Sequence, residues 1–431
     1  MKFVSTRGDA APASLSDAIA AGLAPDGGLY VPQGLPAARN HPAGETLAAS
    51  AAPWLRPFFE GDALAPELDA ICREAFDFPA PLKPLASQDD YVLELFHGPT
   101  AAFKDFGARF LAATLTRLRR GQSRPLTILV ATSGDTGAAV AAAFHRQPGL
   151  RVVVLYPDGR VSPRQAHQLG CFGDNVSALR VAGSFDDCQA LVKQALNDAA
   201  LQRDVPMSSA NSISLGRLLP QMSYYAAAAT RHHADKGTPL NFVIPTGNLG
   251  NAVAAILVRA LGAPLGDIVL ATNANRVLPD FFEGHAYAAA ASVATIANAM
   301  DVGAPSNFER LRWLYRGDDA ALRSAFRAFS VDDDAIRATI ARRHAQYGEV
   351  FCPHTATAVH VLEQLRGQGA SGHWAVAATA HPAKFETIVE SLVGGDVEVP
   401  ASLAVLLARP AHAEPLPPRY DALRDHLRRT A

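Results

Sequence analysis

The chain has 431 residues, 49% hydrophobic and 19% charged, with 39 Lys plus Arg against 41 Asp plus Glu. That length allows two or three domains with a large core, and the composition excludes a disordered chain. The near-zero net charge offers no basic face for nucleic acid or an anionic membrane. Cys72, Cys171, Cys188 and Cys352 lie far apart with no CxxC spacing, which argues against a metal site or a disulfide framework and fits a reducing compartment. The first residues lack the apolar core of a signal peptide. The Ala-rich stretch 287–299 is too short to span a membrane and holds Ser292, Thr295 and Asn298. A cytoplasmic protein is expected.

In chain order, 14–22 reads as a short capped helix, followed by the turn Pro25-Asp26-Gly27-Gly28 and a strand at 29–31. Helical runs at 46–59 and 67–76 lead to the Pro-rich piece 79–84, which is expected to be extended and to mark a boundary. A strand at 91–96 enters the segment around Lys104. Strands are then expected at 126–130, 151–156, 176–181, 240–244, 268–271 and 373–378. Helices are expected at 138–145, 162–169, 186–200, 218–233, 252–261, 355–366 and 384–392. Such alternation argues for parallel sheet covered by helices. The Pro- and Ala-rich end around 409–418 reads as a surface tail with one closing helix.

Lys104 stands where Gly98-Pro99 gives way to a helical run with Phe103, Phe106, Phe110 and Leu111 on one face. A helix start and flanking rings disfavour the ammonium form, so a Schiff-base lysine is a sensible reading. Taken alone, the stretch is better read as a solvated lysine paired with Asp105.

Two loops change that balance. Thr132-Ser133-Gly134-Asp135-Thr136-Gly137 follows one strand, and Thr246-Gly247-Asn248-Leu249-Gly250-Asn251 follows another. Both end where a helix begins, at the carboxyl end of a strand in a parallel sheet, and glycine lets a ligand approach the backbone closely. The second is a nest suited to phosphate; it is neither GxGxxG nor a Walker loop. A third cluster, Asn211-Ser212-Ile213-Ser214-Leu215-Gly216-Arg217, could hold a second phosphate or a carboxylate through the Arg217 fork. Thr379, after the last strand, could point into the same crevice. His381 and Lys384 read as a cap and a solvated helix residue. Two anion loops and a reactive lysine together suggest a ligand with a phosphate and an aldehyde, such as pyridoxal phosphate.

At this point the sequence resembles the threonine synthase family. The resemblance runs through Ser5–Gly8, 22–32, the FHGPTxAFKD string at Lys104, 133–137, 211–217, 246–251, 298–302 and the TAHPAKF string at 379–385. It implies an α/β protein with open, parallel-rich twisted sheets and flanking helices, tryptophan-synthase β-like (pyridoxal-phosphate fold type II). The implied division is a mostly helical region 1–90, a catalytic region 91–395 with a small subdomain at about 106–210, and a tail and closing helix at 396–431.

By the same resemblance, Lys104 carries the cofactor and moves protons at Cα and Cβ of the substrate. Gly247, Asn248, Leu249, Gly250 and Asn251 bind the cofactor phosphate, Thr379 its ring nitrogen, and Asp135 sits beside its 3′-oxygen. Many relatives on this fold carry Asn at the last position. Ser133, Thr136, Asn211, Ser212 and Arg217 hold the substrate's carboxylate and phosphate.

The implied reaction converts O-phospho-L-homoserine and water into L-threonine and phosphate, by γ-elimination and addition of water at Cβ. The expected partner is that small molecule, with no nucleic acid, membrane or metal, in a monomer or homodimer. Control by S-adenosylmethionine is not expected, because the chain begins directly at its Ser-Thr-Arg-Gly segment. Two rivals stand beside this reading. One is another lyase or dehydratase acting on a phosphorylated amino acid; the other is a non-catalytic phosphate-ligand binder, against which the intact Lys104 speaks.

Overall fold

The computed structural model describes residues 1–86 and 90–430. The expected boundary near residue 90 therefore adjoins 87–89, which lie outside the described residues. The N-terminal part pairs Phe3–Ser5 with Tyr30–Pro32 antiparallel and carries helices Leu15–Ala21, Leu47–Phe59 and Leu68–Ala75. Ser14 and Thr46 cap the first two by accepting from Asp17 N and Ala49 N, each cap worth about 1 kcal/mol. Asp26 closes the Pro-Asp-Gly-Gly turn by accepting from Ser5 Oγ, Gly28 N and Asp9 N.

Two sheets organise the rest. In the six-stranded sheet the order is Arg327–Ser330, Leu265–Thr272, Leu240–Pro245, His373–Ala378, Asp90–Glu94, Leu82–Pro84. All neighbours are parallel except the last pair. The five-stranded sheet is parallel throughout, in the order Glu414–Leu416, Val176–Val181, Leu150–Pro157, Leu126–Ala131, Met207–Ser208. Central strands such as Val152–Leu155 and Val376–Ala378 are fully buried, as parallel strands covered on both faces must be. Helix Lys104–Leu118 packs through Phe106 and Phe110 against Phe59 and Phe76, with Phe76 and Phe110 stacked at 6.0 Å. No described helix is long and apolar enough to cross a membrane.

Several elements differ from expectation. The single helix expected at 218–233 is broken. Leu215–Leu218 passes through a 3-10 turn at Leu219–Gln221 before Met222–Lys236 begins, because Pro220 offers no N–H to a continuous ladder. The run at 186–200 divides into Phe185–Asn197 and Ala199–Asp204, since Asp198 accepts from Ala200 N and Leu201 N and starts a new helix. The C-terminal stretch 409–418 is mostly exposed, as a tail laid on the surface would be, and the closing helix follows it, but the segment also enters the fold. Glu414–Leu416 joins the five-stranded sheet alongside Leu179–Val181, and Leu423 and Leu427 of helix Tyr420–Arg429 are fully buried.

Candidate active site

Sheet order positions the site. Three neighbouring parallel strands, Leu240–Pro245, His373–Ala378 and Asp90–Glu94, end on the same side. They deliver Thr246–Asn251, Thr379 and the segment leading to Lys104 to one edge. In the other sheet, adjacent strands Leu126–Ala131 and Met207–Ser208 deliver the Ser133–Gly137 loop and the Asn211–Arg217 cluster.

Specific bonds stitch these segments together. Phe103 N donates to Thr379 O at 2.8 Å and His381 N to Ala101 O at 3.0 Å, around a bridge between Ala102 and Ala380. Asn248 Nδ2 donates to Ser212 Oγ at 2.6 Å, while Asn248 Oδ1 accepts from Ser306 N. Asn251 Oδ1 accepts from the hydroxyls of Tyr224 and Tyr225. The Thr246–Asn251 turn requires Leu249 in the left-handed region, φ +63°. It also requires no side chain at Gly247, where a Cβ would lie 2.7 Å from Met300 Cα.

Lys104 opens its helix, half-buried, with Nζ 5.2 Å from the centre of the Phe103 ring. It is not paired with Asp105. That carboxylate is buried and accepts from Thr100 N (2.9 Å) and Thr100 Oγ1 (2.7 Å), pinning the turn before the helix. Burial pulls the Lys104 ammonium down to about 8, Asp135 opposes this, and Arg217 and Lys384 reinforce it. About a tenth of Lys104 is therefore free amine at pH 7, far more than an ordinary lysine offers, which supplies the nucleophile that a carbonyl requires.

Arg217 is 3% exposed. Its Nη1 donates to Ala210 O at 2.6 Å, and its Nε has no partner among the described residues. Burial draws its pKa down to about 10, so the guanidinium stays charged at neutral pH. A buried cation with an unspent donor has the chemistry to take an anion. Ser133, Thr136, Asn211, Ser212, Gly247 and Asn248 are partly exposed around the crevice, whereas Asp135, Leu249, Gly250, Asn251 and Thr379 are buried. Two N–H groups of the first loop, those of Gly134 and Gly137, are already spent on Thr132 Oγ1.

Three residues escaped the sequence reading. Lys384 is not solvated: it is 0% exposed, ion-paired to Asp135 Oδ1 at 2.8 Å and donating to Thr100 O at 2.7 Å. Gln165 Nε2 donates to the same Asp135 oxygen at 3.0 Å. His354 is buried, accepts from Ala299 N through Nε2, and is pushed down to about 4 by burial. The signal for Lys384 was its apolar setting between Ala383 and Phe385. Its partners lie far along the chain, so spacing could not reveal them. His381 caps its turn as expected, accepting from Ala383 N.

The residues fit pyridoxal phosphate. Thr246 Oγ1, Asn251 Nδ2 and Arg217 Nε are buried without partners among the described residues. The Gly247 cradle has no room for a side chain, and Lys104 supplies an amine of depressed basicity. Among the described residues no cluster of His, Cys, Asp or Glu could hold a metal ion.

Fold and site together define a pyridoxal-phosphate-dependent enzyme of fold type II. Residues 81–381 match the family "Pyridoxal-phosphate dependent enzyme", and the fold is shared at TM-score 0.53 and 15% identity with maize serine racemase, over 73% of this chain and 92% of that one. Residues 2–76 match "Threonine synthase N terminus" and 355–427 "Threonine synthase, C-terminal". The chain is 38% identical to the threonine synthase of Escherichia coli strain K12, covering 98% of each. It is 37% identical to that of Serratia marcescens, covering 99% of each. Its structure superposes on threonine synthase from Brucella melitensis with pyridoxal phosphate bound at TM-score 0.91, 35% identity, covering 100% of this chain and 99% of that one. The chain belongs to the threonine synthase family.

Proposed function

We propose that this protein converts O-phospho-L-homoserine and water into L-threonine and phosphate. The observation that carries the reading is the pairing of an amine of depressed basicity, Lys104, with a buried arginine whose Nε is unspent. The first suits carbonyl chemistry, and the second suits a phosphate that must leave.

Lys104 would hold the cofactor, Gly247–Asn251 its phosphate, Thr379 its ring nitrogen and Asp135 the side of its 3′-oxygen. Bound there, pyridoxal phosphate supplies an electron sink for negative charge developing beside Cα. The chain's own groups do the rest. The Lys104 amine removes the proton at Cα and then one at Cβ, and a proton is returned at Cγ once phosphate has left. Arg217, with Asn211 and Ser212, stabilises the charge on the departing phosphate, where donors fixed in advance lower the barrier most. Ser133 and Thr136 orient the carboxylate so that the Cα–H bond faces Lys104. Water then adds at Cβ, giving up one proton to the site, and a proton is returned to Cα from Lys104. A monomer or homodimer in the cytoplasm, acting on this small molecule without nucleic acid, accords with the balanced charge and the four buried thiols.

The test is a coupled assay on O-phospho-L-homoserine that follows phosphate and identifies the organic product. Phosphate and L-threonine in equal amounts are expected, with both abolished in Lys104→Ala. Phosphate with 2-oxobutyrate instead would mean that water is not captured at Cβ and that the chain acts as a lyase.

A further inference from the structure

The reaction outlined above gives no role to Lys384, the buried partner of Asp135. Asp135 opens the helix Asp135–Phe144 of the five-stranded side, and Lys384 lies in the turn Pro382–Phe385 of the six-stranded side. Their contact at 2.8 Å therefore crosses between the two halves of the site. Ser162 Oγ and Arg164 Nη1 reinforce the crossing by donating to Lys384 O and Ala383 O. Lys384 spends one donor on Thr100 O, four residues before Lys104, and Gln165 holds Asp135 from the other side. A buried pair of this kind adds little stability over an apolar pair of similar volume, which leaves its place across the two halves of the site to be explained.

Charges facing the site make the choice of partner consequential. Lys104 feels the attraction of Asp135 and the repulsion of Arg217 and Lys384. Asp135 feels both lysines, and their attraction outweighs burial, holding its carboxyl well below the usual carboxylate range. His354 and Cys352 also lie within the field of Asp135, and Asp105 acts on Arg217. Asp135 is thus an anion with two candidate cations. Its contact goes to Lys384, and Lys104 has no carboxylate partner among the described residues.

We infer that Lys384 is a positioning residue for Lys104: by occupying the Asp135 carboxylate it prevents Asp135 from capturing Lys104 as an ammonium ion. The inference rests on the reading that Lys104 is the cofactor lysine. Losing Lys384 removes a repulsion from Lys104 and releases a carboxylate toward it, and both changes favour the ammonium form. An opposite charge brought that close shifts a titration by about 1–3 pH units.

The test uses the full-length chain freed of cofactor by hydroxylamine. The rate at which added pyridoxal phosphate develops its visible band is measured from pH 6 to 10, and borohydride trapping on Lys104 is confirmed by peptide mass. The wild-type profile should rise with a midpoint near 8. Lys384→Met should move the midpoint up by about one unit or more, so that uptake at pH 7 falls about tenfold. Asp135→Asn should move it down, and the double variant Asp135→Asn/Lys384→Met should return it to the wild-type value or below. A purely structural role would weaken each variant without giving shifts of opposite sign. If Lys384→Met fails to fold by circular dichroism, Asp135→Asn and the double variant still decide. An unshifted or raised midpoint in Asp135→Asn overturns the inference, as does an unshifted Lys384→Met. Wild-type protein that traps no cofactor on Lys104 would instead overturn the functional reading itself.

Discussion

Gly107 offers a direct check on how the site is packed. It lies inside the helix Lys104–Leu118, where replacing glycine by alanine ordinarily stabilises by about 0.5–1 kcal/mol. Here an added Cβ would lie 2.8 Å from Arg217 O and 2.9 Å from Arg217 Nε. The first of those atoms is backbone, so the contact cannot be relieved by swinging a side chain aside. Overpacking of this sort costs about 1–3 kcal/mol. The backbone contact places Gly107→Ala in the upper part of that range, for a net loss of about 1–2 kcal/mol once helix propensity is subtracted. With an unfolding entropy of about 2.1 cal/mol/K per residue, a chain of 431 residues should lose only about 1–2 °C in Tm. Kinetics should be more sensitive. Arg217 would have to shift within a buried site where its side chain donates to Ala210 O, and small displacements of a positioning group are costly. The KM for O-phospho-L-homoserine should rise by about three- to tenfold, while the visible cofactor band is retained. Differential scanning calorimetry and phosphate-release kinetics measure the two effects. A variant with higher Tm and unchanged KM would refute both the close packing and the role assigned to Arg217.

Gly247→Ala should drive the Thr246–Asn251 turn away from Met300, whose Cα would otherwise be 2.7 Å from the new Cβ. Spectral titration should then show at least tenfold weaker binding of pyridoxal phosphate with Lys104 untouched; equal affinity would exclude this turn as the phosphate cradle. His354, held neutral by burial with its pKa near 4, has a folded-state value below its unfolded one. The unfolded chain therefore binds the extra proton first, so this residue's contribution is complete above about pH 6.5 and is lost as pH falls toward 4. That contribution is on the order of 3 kcal/mol. His354→Gln, whose amide oxygen can accept from Ala299 N in place of Nε2, should flatten the fall in urea midpoint between pH 6.5 and 4; an unchanged slope would assign the acid sensitivity to other groups.

Much of this protein was legible in the sequence because the signals are local. The strand His373–Ala378 lies where its apolar run put it, since a parallel strand buried on both faces needs a nearly unbroken apolar segment. The glycine loops at Ser133–Gly137 and Thr246–Asn251 and the segment at Lys104 were equally readable, because turn chemistry and helix starts are written in adjacent residues. Pairings between distant segments were not legible. Glu414–Leu416 has no strand pattern of its own and becomes a strand because Val176–Val181 presents an open edge. Lys384 followed a cap and a proline and so read as a solvated residue; folding placed it opposite Asp135, and burial then made that carboxylate its counter-ion. Asp105, next to Lys104 in the chain, turned away to Thr100 instead. Residue type and spacing determined which groups could bear the chemistry. Which charge faces which was decided only when two sheets met, because Coulomb interactions depend on distance and burial and not on separation along the chain.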